Sequence, residues 1–501
     1  MTAEVKAQET QNAEVVVAQE ELKKGAEEKG VEEEVKSKEE LVEESKPKTV
    51  EKSSSYKEES NFLSDLKEFE RKALNELKTK LEEAILENKL FEKEEPKMKE
   101  ASEEPVAEEK KKEEKEAAEA EKPEKEENED QKEAAKPEEE EKKSDVGIEK
   151  NVQIDTEIFL WGVSLLPSKG AEGIDVVLLK FLRAREFKVN DAFEMLKKTL
   201  KWRKESNIDS ILDEDLGSDL SSAAYMNGVD REGHPVCYNV FGVFESEELY
   251  RKTFGTEEKR SQFLRWRCQL MEKGIQKLNL KPGGVSSLLQ INDLKNSPGP
   301  SKKELRLATK QALGILQDNY PELVAKNIFI NVPFWYYALN ALISPFLTQR
   351  TKSKFVIARP AKVTETLLRY IPIEEIPVHY GGFKRENDCE FSCQDRAISE
   401  LTLKAGSTAT IEIPALEVGK TLLWDLIVLG WEVNYKEEFV PTDEGSYTII
   451  VQKGKKIGSQ EGPIRNTFCN NEPGKVILTI ENTSNKKKRV LYRHKIKKGT
   501  A

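Results

Sequence analysis

Residues 1–150 hold only four aromatic side chains, Tyr56, Phe62, Phe69 and Phe91, set among 30 Lys and Arg and 49 Asp and Glu. So little apolar surface cannot offset the entropy of ordering a chain, and the stretch reads as a disordered acidic leader. Its local net charge of −19 hides a body of opposite sign: residues 151–501 carry 51 basic against 44 acidic side chains, a net of +7. Such a body is attracted to anionic surfaces. One part of the leader breaks the pattern. Across 61–91, Phe62, Leu66, Phe69, Ala73, Leu77, Leu81 and Ile85 recur at spacings of three and four, which is one face of an amphipathic helix. Two readings stay open there, a solvated single helix and a partner-docking or autoinhibitory one.

Five cysteines, Cys237, Cys268, Cys389, Cys393 and Cys469, form an odd and sparse set, as in a reducing compartment. The opening MTAEVKAQET has no basic segment followed by an apolar one, so no secretory signal is expected. No stretch reaches the roughly 18 apolar residues of a membrane span, so membrane contact is expected to be peripheral. Enzyme chemistry finds little support. His234, His379 and His494 lie far apart, outside any nucleophile or zinc motif. His234 before Pro235 and His379 in the PVHYGG turn read as structural, and Cys389 and Cys393 lack a second ligand pair. Neither an enzyme nor a metal or cofactor is expected.

Beyond Val152 the pattern becomes that of a packed protein. Two helices are expected between 174 and 206, the first with Val176, Leu179 and Leu182 inward, the second with Ala192, Phe193, Leu196 and Leu200. Strand-like runs at 235–241, 286–293, 327–332 and 354–358 then alternate with helical stretches at 257–278 and 301–319. That alternation predicts an α/β layer with a largely parallel sheet. After Cys393 the runs 398–404, 408–413, 422–435, 446–452, 475–482 and 489–496 are punctuated by Gly, Pro and Asn, as in an all-β sandwich.

Two segments stand out chemically. In NIFINVPFWYYALNALISPFL (327–347) a strand ends at Pro333 and a helix runs from Phe334 to Ser344, before Pro345. Apolar all round, that helix is either a core element or the wall of an apolar cavity. In ENTSNKKKRVLYRHKIKK (481–498), Lys486, Lys487 and Lys488 occupy a turn, while Arg489, Arg493, Lys495 and Lys497 share one strand face with Leu491. Each basic residue near an anionic leaflet contributes about 1 kcal/mol, so the cluster reads as a membrane-docking patch or as an edge strand guarded by lysines. Nucleic acid is not expected, because aromatics do not interleave with the basic residues.

The segments LLKFLRAREFKVNDAFEMLKKTLKWRKES (178–206), VCYNVFG (236–242), LLQINDLKNSPG (288–299), ILQDNYPELVAKNIFINVP (315–333) and LLRYIPIEEIPVHYGG (367–382) together resemble a CRAL-TRIO lipid-binding domain. The β-rich remainder resembles a GOLD domain, and the whole, with its acidic leader, resembles the patellins of plants. The resemblance implies a leader at 1–150 with its helix at 61–91, a helical CRAL-TRIO N-terminal subdomain at 151–225, an α/β CRAL-TRIO lipid-binding domain at 226–384, and an all-β GOLD sandwich at 385–501. It further implies an apolar pocket for one phospholipid as cargo. A movable helix with Phe334, Trp335, Tyr337, Leu339, Leu342 and Phe346 would wall or gate that pocket. Each buried methylene is worth about 0.8 kcal/mol, so exchange requires the gate to open at a membrane.

The family's headgroup contacts carry over at Arg185, Glu322, Thr351 and Lys354. The sequence departs from the family at Glu186 and Leu323, where basic residues are usual, and Leu288-Leu289-Gln290 replaces the Ser-x-Thr pair that engages choline lipids. In function, the resemblance implies a cytoplasmic phosphoinositide-binding carrier or sensor. It would dock peripherally on plasma membrane or cell plate and act in membrane trafficking and cell division. The alternative is an interaction adaptor that holds protein partners through the GOLD-like domain and residues 61–91, with a structural lipid pocket.

Overall fold

A computed structural model of the chain describes residues 58–91, 157–217, 219–298, 302–333, 353–391, 397–430, 432–458 and 461–498. The first helix, α1 (Glu68–Leu86), starts where the Lys67 amide donates to the Glu70 carboxylate at 2.9 Å. Glu68 and Glu70 in its first turn complement the positive end of the helix dipole. Its apolar stripe, Ala73, Leu74, Leu77, Leu81, Ala84 and Ile85, is buried against α2 (Ile174–Ala184) and α3 (Val189–Glu205). Lys80 Nζ donates to Asn190 Oδ1 at 2.6 Å, and Lys78 pairs with Asp175. The helix expected at 61–91 therefore exists, but it is neither solvated nor free to hold a partner by its apolar face. It is a wall of the helical subdomain, although residues 92–156 separate it in sequence from its neighbours.

Two residues of the expected stripe fall outside it. Phe69 is 56 % exposed and touches Phe187 edge-on at 5.6 Å. Phe62, 48 % exposed, lies on Gly283, where a Cβ would stand 2.6 Å from the phenyl ring. Helix α2 is buried nearly all round, from Val176 to Leu182, with Lys180 among its buried residues. Its sequence suggested a single inward face.

A small hairpin, β1 (Phe159–Leu160) and β2 (Val163–Ser164), precedes α2. The central sheet follows in the order β3 (Ala224–Val229), β4 (Pro235–Val240), β5 (Leu288–Asp293), β6 (Val324–Ile330), β7 (Phe355–Ile357). Strands β4 to β7 pair in parallel, and β3 closes one edge antiparallel. Interrupted by Asn227 and Gly228, β3 was not among the expected strands. Helices α4 (Glu247–Phe254) and α5 (Glu257–Ile275) connect β4 to β5, and α6 (Lys303–Asn319) connects β5 to β6. One sheet face carries Val236, Tyr238, Leu289, Ile291 and Ile328 into a core closed by α7 (Val363–Leu367) and the segment to Phe383. Tyr225, Tyr238 and Tyr380 stack there at 5.4 and 5.5 Å. The turn after Tyr380 needs glycine, because a Cβ on Gly382 would meet the Ile376 carbonyl oxygen at 2.0 Å.

The C-terminal sandwich consists of two antiparallel four-stranded sheets. One runs β13 (Ile464–Cys469), β10 (Lys420–Leu429), β15 (Lys488–Lys498), β8 (Ser399–Leu403), and the other β12 (Ile449–Ile457), β11 (Val433–Pro441), β14 (Gly474–Glu481), β9 (Thr408–Ala415). The single run expected at 422–435 splits into β10 and β11 at Gly430 and Glu432, both at positive φ. Strand β15 lies between β10 and β8, so the edge-strand reading of the basic C-terminus is corrected. Between the sheets, the buried Glu437 carboxylate accepts from Trp424 Nε1 at 3.1 Å, Tyr435 Oη at 2.8 Å and Asn466 Nδ2 at 2.6 Å.

The sandwich is tied to the segment that follows the α/β layer through Asp425. This fully buried carboxylate accepts from Arg385 at 3.0 Å, Arg465 at 2.7 Å and Arg493 at 2.7 Å. Asp388 takes two further bonds from Arg465 at 2.8 Å. Arg493 also lies 3.9 Å above the Phe391 ring and donates to the Phe383 carbonyl oxygen at 3.3 Å. Removing one partner of a buried ionic cluster leaves the others uncompensated. Asp425→Ala is expected to destabilise the protein by about 3–5 kcal/mol in urea unfolding; a loss below about 1 kcal/mol would mean that solvent already screens these guanidinium groups.

Candidate functional site

The residues just before the four parallel strands converge on one polar cluster. His234 precedes β4, Ser286 and Ser287 precede β5, Glu322 precedes β6, and Lys354 precedes β7. Helix α2 delivers Lys180 to their centre, where Nζ donates to the Glu322 carbonyl oxygen at 2.8 Å and lies 3.4 Å from Ser286 Oγ. Lys354 Nζ bonds the Glu322 carboxylate at 2.7 Å and the Val324 carbonyl oxygen at 3.2 Å. Glu322 itself sits at φ +52°, a region costly for a side chain with a Cβ. Both lysines hold it there, one by its backbone and one by its carboxylate. Burial pushes the Lys180 ammonium down to about 8 against the pull of Glu58 and Glu322.

A short strap from the leader closes the cluster. Arg183 Nη1 donates to Asn61 Oδ1 and Nη2 to the Ser60 carbonyl oxygen, both at 2.6 Å, while Nε lies 3.0 Å from Glu59. Asn61 Nδ2 donates onward to Ser286 Oγ at 3.3 Å. His234 is bracketed by Asp230 at 2.9 Å from Nδ1 and by Glu58 at 3.1 Å from Nε2. Burial alone would depress the imidazolium, yet its bonds to Asp230 and Glu58 raise it to about 9. Burial likewise opposes charge on Glu58, but the His234 bond and the Lys180 charge bring its carboxyl down to about 2. Four positive groups (Lys180, Arg183, His234, Lys354) face Glu58, Glu59, Asp230 and Glu322, with the more exposed Glu232 3.9 Å from His234, so each cation has an acid within the cluster.

Of the four positions expected to touch a headgroup, Glu322 and Lys354 meet here. Arg185 ends α2 and is half-buried, with Nη1 on the Ala184 carbonyl oxygen at 3.2 Å. Thr351 and the gate residues Phe334, Trp335, Tyr337, Leu339, Leu342 and Phe346 lie outside the described residues. Lys180 was missed, although a lone lysine in the apolar run VVLLKFL was a readable sign. Glu58 gave no signal, being one acid among many.

Most residues of the expected basic patch are engaged within the chain. Arg493 is buried on Asp425, Arg489 is bidentate on Glu400 at 2.7 and 2.8 Å, and Lys497 pairs with Glu390. Lys488 Nζ donates to the Gly430 carbonyl oxygen at 3.1 Å, and Lys495 is half-buried. Lys486 and Lys487 remain exposed in the turn. The strand face that read as a membrane contact is thus spent largely on internal ion pairs.

The strap should respond to pH on two sides. His234, raised from 6.5 to about 9, contributes stability that is complete below pH 6.5 and lost as pH rises through about 9. Glu58, lowered from 4.5 to about 2, contributes stability present above pH 4.5 and lost as pH falls through about 2. Hydrogen-exchange protection of residues 58–66 is expected to peak between these limits. His234→Gln should remove the alkaline limb only; an unchanged alkaline limb in that variant would assign it to another group.

Models of known families match this chain in three places: the CRAL/TRIO N-terminal domain at 73–198, the CRAL/TRIO domain at 220–382, and the Patellin-1-like C-terminal GOLD domain at 404–488. The first match begins inside α1, in keeping with the packing of that helix on α2 and α3. Patellin-4 of Arabidopsis thaliana is 58 % identical over 545 aligned positions, covering 99 % of both chains. Patellin-3 of the same plant is 52 % identical over 345, covering 68 % of this chain and 69 % of its own. Phosphatidylinositol transfer protein SFH5 of Scheffersomyces stipitis is 29 % identical over 266, covering 50 % of this chain and 77 % of its own. The chain, with its CRAL-TRIO domains and C-terminal GOLD domain, belongs to the patellin family.

Proposed function

We propose that this chain is a phospholipid-binding carrier, not an enzyme, that takes up a phosphoinositide and docks peripherally on membranes during membrane traffic. The observation that supports this reading most directly is the 2.7 Å contact of Glu322 with Lys354. The two lie 32 residues apart in sequence, and both occupy positions that the family's headgroup contacts imply. Similarity to a relative named for phosphatidylinositol transfer points the same way. Because each cation of the cluster has an acid within it, an anionic headgroup gains there only if Lys354 exchanges Glu322 for phosphate. A charge-assisted bond of that kind is strong enough to matter. Membrane docking would rest on the exposed Lys486–Lys487 turn and on the general charge of the body, which gives weak and reversible attachment. The apolar segment at 334–347 would wall the acyl chains.

A second reading, an adaptor that works through the GOLD domain, is favoured by one observation. Tyr447, Ile449 and Ile450 are 90, 42 and 60 % exposed at the start of β12, an edge strand. Native mass spectrometry of the purified chain separates the two, since a carrier holds phospholipid stoichiometrically and an adaptor does not. Lys354→Ala is expected to weaken binding to phosphoinositide-containing vesicles by about tenfold, with binding to other anionic vesicles unchanged. Equal loss on both vesicle types would reject a headgroup role for Lys354.

A further inference from the structure

The outer strands of the sandwich are β13 and β8 in one sheet and β12 and β9 in the other. An outer strand leaves a row of backbone N–H and C=O groups unpaired, a template for another strand unless something blocks it. Among the described residues of these strands, only β12 exposes large apolar side chains. Ile449 is 42 % and Ile450 60 % exposed, and Tyr447, just before the strand, is 90 % exposed. A bulge opposite Glu437 divides β12 into two halves. The first, residues 449–451, is apolar, and Val451 packs on the margin of the sandwich core. The second carries Lys453, Lys455 and Lys456, all exposed. Such lysines discourage pairing where they stand, but they leave the apolar half open. Lys455 lies 3.4 Å from Glu461, and neither Lys453 nor Lys456 meets an acid among the described residues.

This edge dictates the chemistry of what would cover it. The cover is extended, because a strand edge pairs with a strand. It is apolar first and acidic after, to match the order along β12. The chain itself holds such a segment. Residues 1–57 lie before the described part, and Val15-Val16-Val17 is the one run of three β-branched residues within them, a composition that favours strand. Glu14 precedes the run, Glu20 and Glu21 follow it, and no basic residue falls between 13 and 22. Laid parallel to β12, the three valines stand beside Ile449, Ile450 and Val451, and the two following acids stand beside the lysines. The antiparallel arrangement would set Gln11, Asn12 and Ala13 against those lysines instead. Residues 23–57 tether the segment to the strap at Glu58. Extended, they reach about 115 Å, several times the roughly 20 Å radius of gyration of a body this size.

We propose that residues 14–21 add to β12 as a further parallel strand and close the open edge of the sandwich. Tethering holds the segment at an effective concentration on the order of 1 mM, so a site of roughly 0.1 mM affinity is about nine-tenths filled. The inference stands whether or not the chain carries lipid. It gives the edge that an adaptor would offer to a partner an occupant from the same chain, which that partner must displace.

Hydrogen exchange of the full chain, read by mass spectrometry, tests the contact. The β12 amides are expected to exchange about tenfold faster in Val16→Asp than in the unaltered chain, with the inner strand β14 unchanged. Glu20→Lys combined with Glu21→Lys should expose β12 to a similar degree. Adding Lys453→Glu and Lys456→Glu to that variant should restore the protection. Equal β12 exchange in Val16→Asp and the unaltered chain overturns the proposal. Protection that falls on dilution of the protein assigns the edge to a second copy, which also overturns it. If the charge swap fails to restore protection, the parallel alignment falls. Should β14 also exchange faster in Val16→Asp, the Glu20 and Glu21 variant, which leaves the valines in place, decides in its stead.

Discussion

A lysine inside an apolar helix sets the terms for the N-terminal half of this protein. Helix α2 is buried on nearly every side, so the Lys180 ammonium has no path to water and must find acceptors inside. The chain supplies them from the starts of β5 and β6, through Ser286 and the carbonyl of Glu322. Glu322 is thereby held in a strained backbone conformation that turns its carboxylate toward Lys354. The same burial draws in the strap at 58–61, whose acids and amide satisfy Arg183 and His234. One desolvated charge thus fixes the relation of the helical subdomain, the sheet ends and a segment of the leader. The buried ions cost desolvation energy that only the completed network offsets, which is why its members stand or fall together.

The C-terminal half repeats this logic around an acid. Asp425 lies on β10 in the middle of the sandwich, and its three guanidinium partners come from the linker after the α/β layer, from β13 and from β15. The sandwich is therefore joined to its neighbour by charge as well as by the shared apolar core that runs from Phe383 to Trp424. Of the basic residues on β15, Arg493 and Lys497 serve this junction, while Arg489 and Lys488 bond within the sandwich. Lys486 and Lys487, in the turn before β15, stay exposed outside this junction.

The two polar regions of the α/β layer differ in a way that bears on ligand recognition. At the strand N-termini every charge has a partner, so that region is a rigid support whose contact with an anion requires an exchange of partners. Beneath α5, among the described residues, the Arg267 guanidinium meets no acid and bonds the neutral amide of Asn239.

Fold class was legible from the sequence because it depends on local periodicity. The alternation of strands and helices between 235 and 358 and the short strands after 393 follow from side-chain spacing and turn residues, and the motif order implied the patellin architecture. Glu322 and Lys354 were legible through resemblance alone. Other features depend on contacts that no local pattern encodes. The stripe of α1 was visible, but not its destination, because a long charged stretch of sequence separates it from α2. Lys486 to Lys497 read as a basic surface, since a strand's two faces are evident from alternation while the neighbour each face meets is not. Nothing in the helical run 257–278 marks Arg267 as the residue that meets Asn239 on the sheet beneath. Sequence by itself determined which segments form helices and strands and which faces are apolar. Tertiary structure decided which charges are buried and who neutralises them, because desolvation depends on what covers a group, and the cover comes from distant parts of the chain.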